Sequence, residues 1–256
     1  MIKNKIKKID FFRNKINSNK LSIGSWLHLD NTDTAEIMSS NKKFEWLVVD
    51  REHGQFNLSS LKDICRSIEI NDTLPLVRIS SNQKHEIQTV LEAGFCGIIF
   101  PNITSVKQTK ELISYSKWPP YGNRGVGYSR ANSHGEKLDL YKKFSKKIIC
   151  IAMIENIQAV NNLEDILSAS QLDGIFIGPY DLSASVGRPG DFKNLKFIKA
   201  MNQVKTISKK YKKPMGIHVV MPSKNNVNSY YKEGFTYIAH SLDTVYLRTS
   251  VSNNND

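Results

Sequence analysis

Cysteine is scarce in this chain, with three residues in 256. Cys65, Cys96 and Cys150 form no CxxC pair and sit in apolar contexts (DICRSI, GFCGII, KIICIA). This excludes a disulfide scaffold and a cysteine-ligated metal, and reads as three small core residues. Long apolar runs are also missing: none reaches the roughly 18–20 residues of a membrane span. The opening MIKNKIKKIDFF has neither the apolar stretch nor the small-residue cleavage site of a secretory signal. A cytoplasmic protein with no membrane partner is expected. Acidic residues are outnumbered, 24 against 36 basic, for a net charge of +12. Such an excess invites a nucleic-acid reading. The basic residues are spread along the chain, however, with no RNA-binding aromatic signature or recognition helix. A solvated basic surface fits better, and its field would favour an anionic small substrate.

Short apolar segments recur with helical patterns between them. Strands are expected at Leu21–Leu27, Trp46–Val49, Leu76–Ile79, Gly97–Phe100, Ile148–Ile154, Gly174–Ile177, Pro214–Val219 and Tyr237–Ala239. Leu58, Leu61, Ile64, Cys65 and Ile68 have helical spacing, and Ile87, Val90 and Leu91 run up to Gly94, a helix stop. Ser105–Tyr115, Ala159–Leu167 and Phe197–Tyr211 continue the alternation. Eight strands in one domain spanning residues 1–256 favour a (β/α)8 TIM barrel over a doubly wound sheet. Residues 1–17 form an amphipathic helix expected to close the barrel bottom, with Ile2, Ile6, Ile9, Phe11, Phe12 and Ile16 as its apolar members. A C-terminal helix is expected over 242–250. Between Trp118 and Gly135 runs WPPYGNRGVGYSRANSHG, whose length and irregularity suggest an active-site loop or lid. Its GNRGVG does not follow a strand and is a poor phosphate-binding loop.

A barrel works at the C-terminal ends of its strands. The second ends in VVDREHGQF, giving Asp50, Arg51, Glu52 and His53; the third ends at Arg78, the fifth at Glu155, and Asp181 lies just beyond the sixth. Each alone has a bland explanation, such as a helix cap or a surface ion pair; their convergence on one rim does not. Glu155 and Asp181 offer hard oxygen ligands for Mg²⁺ or Mn²⁺, with positions left for water and a chelating 2-oxo acid. Such a metal stabilises an enolate as a Lewis acid. Arg78 can donate to the keto oxygen, His53 can carry the hydroxyl proton, and Asp50 can fix the His53 tautomer. A Schiff-base aldolase needs a lysine at the barrel mouth, and the expected strand ends offer none.

Together, D-x-E-H at Asp50–His53, Val77–Arg78, P-P-x-G-x-R-G-V-G at Pro119–Gly127, Ile154–Glu155 and G-P-x-D-L-S at Gly178–Ser183 resemble the HpcH/HpaI aldolase family, in the family's order from about Gly24 to Thr244. The resemblance implies a barrel of the phosphoenolpyruvate/pyruvate type. Its activity would be class II aldol cleavage of a 4-hydroxy-2-oxo acid, such as a 2-keto-3-deoxy sugar acid, to pyruvate and an aldehyde. It further implies a divalent cofactor (Mg²⁺, Mn²⁺ or Co²⁺) on Glu155 and Asp181, and pyruvate contact by Arg78. His53 would be the acid/base paired with Asp50, and the backbone around Gly178, Pro179, Tyr180 and Asp181 would hold the pyruvate carboxylate. A homohexamer with exchanged C-terminal helices is implied too, with Glu92 and Arg124 as intersubunit candidates. Two departures stand out: Met153 where members carry Gln, and Glu92 where they carry Asp. The alternatives are a citrate-lyase-like CoA-thioester lyase and a non-catalytic barrel that binds.

Overall fold

The structure is a computed structural model that describes residues 2–168 and 171–253. Eight strands, β1 (Ser22–Leu27), β2 (Trp46–Asp50), β3 (Leu74–Arg78), β4 (Gly97–Phe100), β5 (Ile149–Ile154), β6 (Gly174–Ile177), β7 (Met215–Val219) and β8 (Phe235–Leu242), close on themselves in sequence order. Every neighbouring pair is parallel. Among the described residues twelve α-helices accompany them: α1 (Ile2–Asn17), α2 (Thr32–Ser40), α3 (Leu61–Ile70), α4 (Lys84–Ala93), α5 (Val106–Ser116), α6 (Leu138–Lys146), α7 (Ile157–Asn161), α8 (Leu163–Ser168), α9 (Pro179–Ser185), α10 (Leu195–Lys210), α11 (Lys224–Lys232) and α12 (Asp243–Asn253). Strands packed on both faces must be apolar throughout, and those of β2 to β6 are buried at every position.

Inside the barrel, large rings face glycines. A Cβ on Gly24 would lie 2.1 Å from the Trp46 indole, and one on Gly216 would lie 2.2 Å from the Tyr237 ring. Phe12 of α1 meets Trp46 and Tyr237 edge-on, with centroids 6.4 and 5.9 Å away. The α1 helix thereby covers the N-terminal mouth with Ile9, Phe12 and Ile16, while Phe11 of the expected stripe stays exposed. The last strand is longer than the sequence pattern indicates: polar Thr236, His240 and Ser241 break its apolar run, yet Phe235, His240 and Leu242 still pair with the neighbouring strands, with the register shifting past Thr236 and Ser241.

The Trp118–Gly135 segment corrects an expectation. It joins α5 to α6, which leads into the start of β5, and so lies on the side away from the strand ends, not at an active-site mouth. Arg124 is buried within its own chain, donating to the Tyr141 hydroxyl at 2.9 Å and lying over the Trp118 and Tyr141 rings. Within the chain it anchors this loop. Arg130 reaches Glu69 at 2.6 Å and the Ala93 carbonyl at 2.9 Å, and Lys5 of α1 pairs with the same Glu69 at 2.5 Å. Glu92 accepts from Gln88 one turn earlier on α4. Gly94 ends that helix in the left-handed conformation (φ 116°) that favours glycine.

Among the described residues no helix is long and apolar enough to cross a membrane.

Candidate active site

Parallel pairing of β2 and β3 sets Asp50 directly beside Arg78 at the strand ends. Both are buried, and they join through two hydrogen bonds, Nε to Oδ1 at 2.8 Å and Nη2 to Oδ2 at 2.7 Å. This fork geometry is the strongest form of such a pair. The guanidinium also lies 4.7 Å over the Trp26 ring from β1. Glu52 Oε2 lies 2.8 Å from Arg78 Nη1, in ionic contact but out of line for a hydrogen bond. Met153 turns its sulfur to the same Nη1 at 3.6 Å. Burial alone would raise the Asp50 carboxyl; the His28 ring and Arg78 outweigh it and hold Asp50 well below the usual carboxylate range.

The contact expected between Asp50 and the His53 ring is absent. Asp50 accepts the backbone N–H of His53 at 3.4 Å, while the imidazole within reach is His28, whose Nε2 lies 2.8 Å from Oδ2. The cause is loop geometry: after β2 the chain turns so that the Glu52 and His53 N–H groups point back at Asp50. The His53 side chain is left exposed.

Glu155 follows β5 and is 5% exposed. Its Oε1 accepts the Asn102 N–H at 2.6 Å. Burial pushes its carboxyl up to about 7, against the Asn102 bond and the Arg78 charge, with Glu52 and Asp181 adding to the rise. Asp181 is exposed in the first turn of α9, behind Gly178 as N-cap and Pro179 at the first helical position. A Cβ on Gly178 would stand 2.9 Å from Glu155 Cβ and 3.1 Å from its Oε2, so glycine is what lets this turn approach the carboxylate.

A cavity of about 360 Å³ opens at these strand ends. Trp26, His28, His53, Arg78 and Met153 line it together with Phe176, Gly178, Pro179, Tyr180, Asp181 and His218. Glu155 is outside its wall but abuts the wall residue Gly178. Asp50 acts from beneath, through Arg78 and His28. Among the described residues no group of three or more His, Cys, Asp or Glu side chains is set to hold a metal ion. The two predicted carboxylates would therefore depend on water or substrate to complete a coordination shell. Their chemistry suits a cation: Glu155 is a buried carboxylate under the negative charges of Glu52 and Asp181, and hard carboxylate oxygens are what a divalent ion takes. A larger cleft of about 740 Å³ at the opposite end, among Lys205, Lys209, Lys212 and Lys232, contains none of the predicted residues.

The strand-end argument passed over β1 and β7. His28 directly follows β1 in SWLHLD and His218 lies in β7; a histidine at the C-terminal end of a barrel strand was the available signal for His28. His218 stacks on Trp26 (5.4 Å, 11° between planes), with Nε2 3.0 Å from the Ser241 carbonyl. Burial holds its imidazole down at about 4, and the nearby His28 and Arg78 charges act in the same direction.

Relatives share this frame. A 5-keto-4-deoxy-D-glucarate aldolase of Escherichia coli strain E24377A is 29% identical over 246 residues, covering 94% of this chain and 95% of its own. A crystal structure of an HpcH/HpaI aldolase/citrate lyase family protein from Burkholderia cenocepacia J2315 superposes with a TM-score of 0.89 at 24% identity, covering 95% and 96% of the two chains. The structure of citrate synthase SbnG superposes with a TM-score of 0.83 at 20% identity, covering 94% of each. At such identities these two likenesses speak for the fold. The HpcH/HpaI aldolase/citrate lyase family model matches residues 22–250, and the chain belongs to this family of carbon–carbon lyases.

Proposed function

We propose that this enzyme reversibly cleaves a 4-hydroxy-2-oxo acid, of the 2-keto-3-deoxy sugar-acid class, to pyruvate and an aldehyde. The observation that carries this reading is the placing, at one end of the barrel, of a buried carboxylate, Glu155, near a guanidinium locked in place by Asp50. The name of the Escherichia coli relative supports the substrate class.

Cleavage requires removal of the C4 hydroxyl proton, movement of the C3–C4 electron pair toward the keto group, and return of a proton to C3. A divalent cation (Mg²⁺, Mn²⁺ or Co²⁺) held by Glu155 and Asp181 would supply Lewis acidity at the keto oxygen. Arg78 spends Nε and one Nη2 proton on Asp50, which leaves guanidinium donors for charge developing on that oxygen. The first-turn N–H groups of Tyr180 and Asp181 have no intrahelical acceptor and would receive the substrate carboxylate. Trp26 and Phe176 supply apolar walls. Met153, in place of an amide, reduces the polar contacts available to the aldehyde part. The hydroxyl proton goes to a histidine of the mouth; the family resemblance names His53, which lines the cavity from an exposed position.

The test is oxaloacetate decarboxylation that is abolished by EDTA and restored by Mg²⁺, Mn²⁺ or Co²⁺, followed by cleavage of 5-keto-4-deoxy-D-glucarate and a panel of aldehydes with pyruvate. Metal-independent turnover, or a pyruvate adduct trapped by borohydride, would overturn the class II reading. Glu155→Gln should lose activity with the fold intact; full activity in that variant would remove Glu155 from the site.

A further inference from the structure

We propose that His218 selects substrates whose aldehyde part carries a hydroxyl, by accepting that hydroxyl's hydrogen bond on Nδ1; the proposal rests on the aldolase reading above. The ring stands on β7 and lines the cavity at the mouth. Its Nε2 lies 3.0 Å from the Ser241 carbonyl. A carbonyl oxygen can only accept, so Nε2 carries the proton and Nδ1 the lone pair. Among the described residues Nδ1 makes no hydrogen bond, and it is the polar atom that the imidazole has left for a ligand.

The last strand is shaped to hold this tautomer. Between the Gly24–Ala239 and Trp26–Leu242 pairs, β8 carries one residue more than β1, a bulge at His240 and Ser241. Ser241 takes the left-handed conformation there (φ 57°), which is uncommon outside glycine. Its carbonyl accepts from the Ser25 hydroxyl at 2.9 Å as well as from His218, and its own hydroxyl donates to the Val220 carbonyl at 2.9 Å. The stack on Trp26, 5.4 Å away with 11° between planes, fixes the plane of the ring. Tautomer and ring direction are thus both set by β1, β7 and β8.

The surroundings make that lone pair selective. Burial keeps the imidazole neutral at neutral pH, with the His28 and Arg78 charges acting in the same direction, so Nδ1 stays an acceptor. Besides His218, the elements β7, β8 and α12 and the loop after β7 give the cavity Val220, Leu242 and Val245, all apolar. A plain alkyl aldehyde would pack on these side chains but leave Nδ1 shielded from water and unpaired, whereas a hydroxylated one would satisfy it. His218 would thus act on the part of the substrate that leaves as aldehyde, while Arg78 and the carboxylates act on the pyruvate part.

Paired aldehydes that differ only in a hydroxyl test this by condensation with pyruvate in the presence of Mn²⁺: glycolaldehyde against acetaldehyde, and lactaldehyde against propionaldehyde. The wild type is expected to prefer the hydroxylated member of each pair in kcat/KM. His218→Phe keeps a ring for Trp26 but has no acceptor, and should cut that preference by about 10-fold or more, through a fall with the hydroxylated aldehydes. The intrinsic reactivity of each aldehyde is the same for both enzymes and cancels from the comparison. His218→Gln, whose amide can donate to Ser241 and accept from a hydroxyl, should keep most of the preference. Equal falls for both members of a pair in His218→Phe would make His218 a structural support and overturn the proposal. So would a wild type that shows no preference, a result that needs no variant to fold. A wild type that condenses pyruvate with no aldehyde at all would overturn the aldolase reading itself, and the His218 proposal with it.

Discussion

Replacing Asp50 by asparagine should expose how the mouth is held together. Asp50 is fully buried; it accepts two hydrogen bonds from Arg78, faces Nε2 of His28 and receives two backbone N–H groups. Asn preserves volume but removes the negative charge, leaving the buried Arg78 with Glu52 as its remaining partner. Breaking a buried pair from one side costs about 3–5 kcal/mol. The surviving Glu52 contact argues for the lower end, about 3 kcal/mol. For a domain of this size that is a fall in Tm of about 6–12 °C. The pH dependence follows from the lowered Asp50 carboxyl. Its stabilisation is fully present above the unfolded-state value near 3.8 and is lost as pH falls below it. The gap between wild type and Asp50→Asn should therefore stay constant from about pH 5 to 8. Chemical denaturation of Asp50→Asn, Arg78→Met and the double variant completes the measurement. The double variant should be more stable than the sum of the single losses by about 2 kcal/mol. A loss below about 1 kcal/mol in Asp50→Asn, or simple additivity, would refute the idea that this pair organises the mouth.

Gly24→Ala puts a Cβ 2.1 Å from the Trp46 indole; overpacking of a rigid ring should cost about 3 kcal/mol or more, and a Tm within 2 °C of wild type would contradict the assigned interior packing. His218, with its imidazole held down near 4, should make the protein less stable as pH falls from about 6.5 toward 4, because the unfolded chain takes up a proton that the folded one refuses. Denaturation at pH 7 and 4.5 should show that His218→Phe, which can keep an aromatic ring on Trp26, loses about 2 kcal/mol less than wild type over this interval; equal losses would remove His218 as the cause.

Much of the barrel was legible along the chain because each strand–helix unit carries local patterning: an apolar run too short for a helix, then apolar residues at helical spacing. Strand ends are local too, so the positions of Asp50, Arg78, Glu155 and Asp181 near one mouth followed from alternation alone. Contacts between side chains from different strands were not legible. Asp50 lies three residues from His53 in sequence, and proximity along the chain suggested a pair; the turn after β2 instead aims the His53 N–H at Asp50 and leaves the ring outside. Its imidazole partner is His28, brought in from β1. The Trp118–Gly135 segment was read as an active-site loop or lid from length and irregularity alone, which are local, whereas its contacts with Glu69 and Ala93 through Arg130 belong to the tertiary structure. Sequence by itself determined the order of elements and the residue types offered to the mouth. Only barrel closure decided which groups pair there, because it sets residues from β1, β2 and β3 side by side, where buried charge must find its nearest compensating partner.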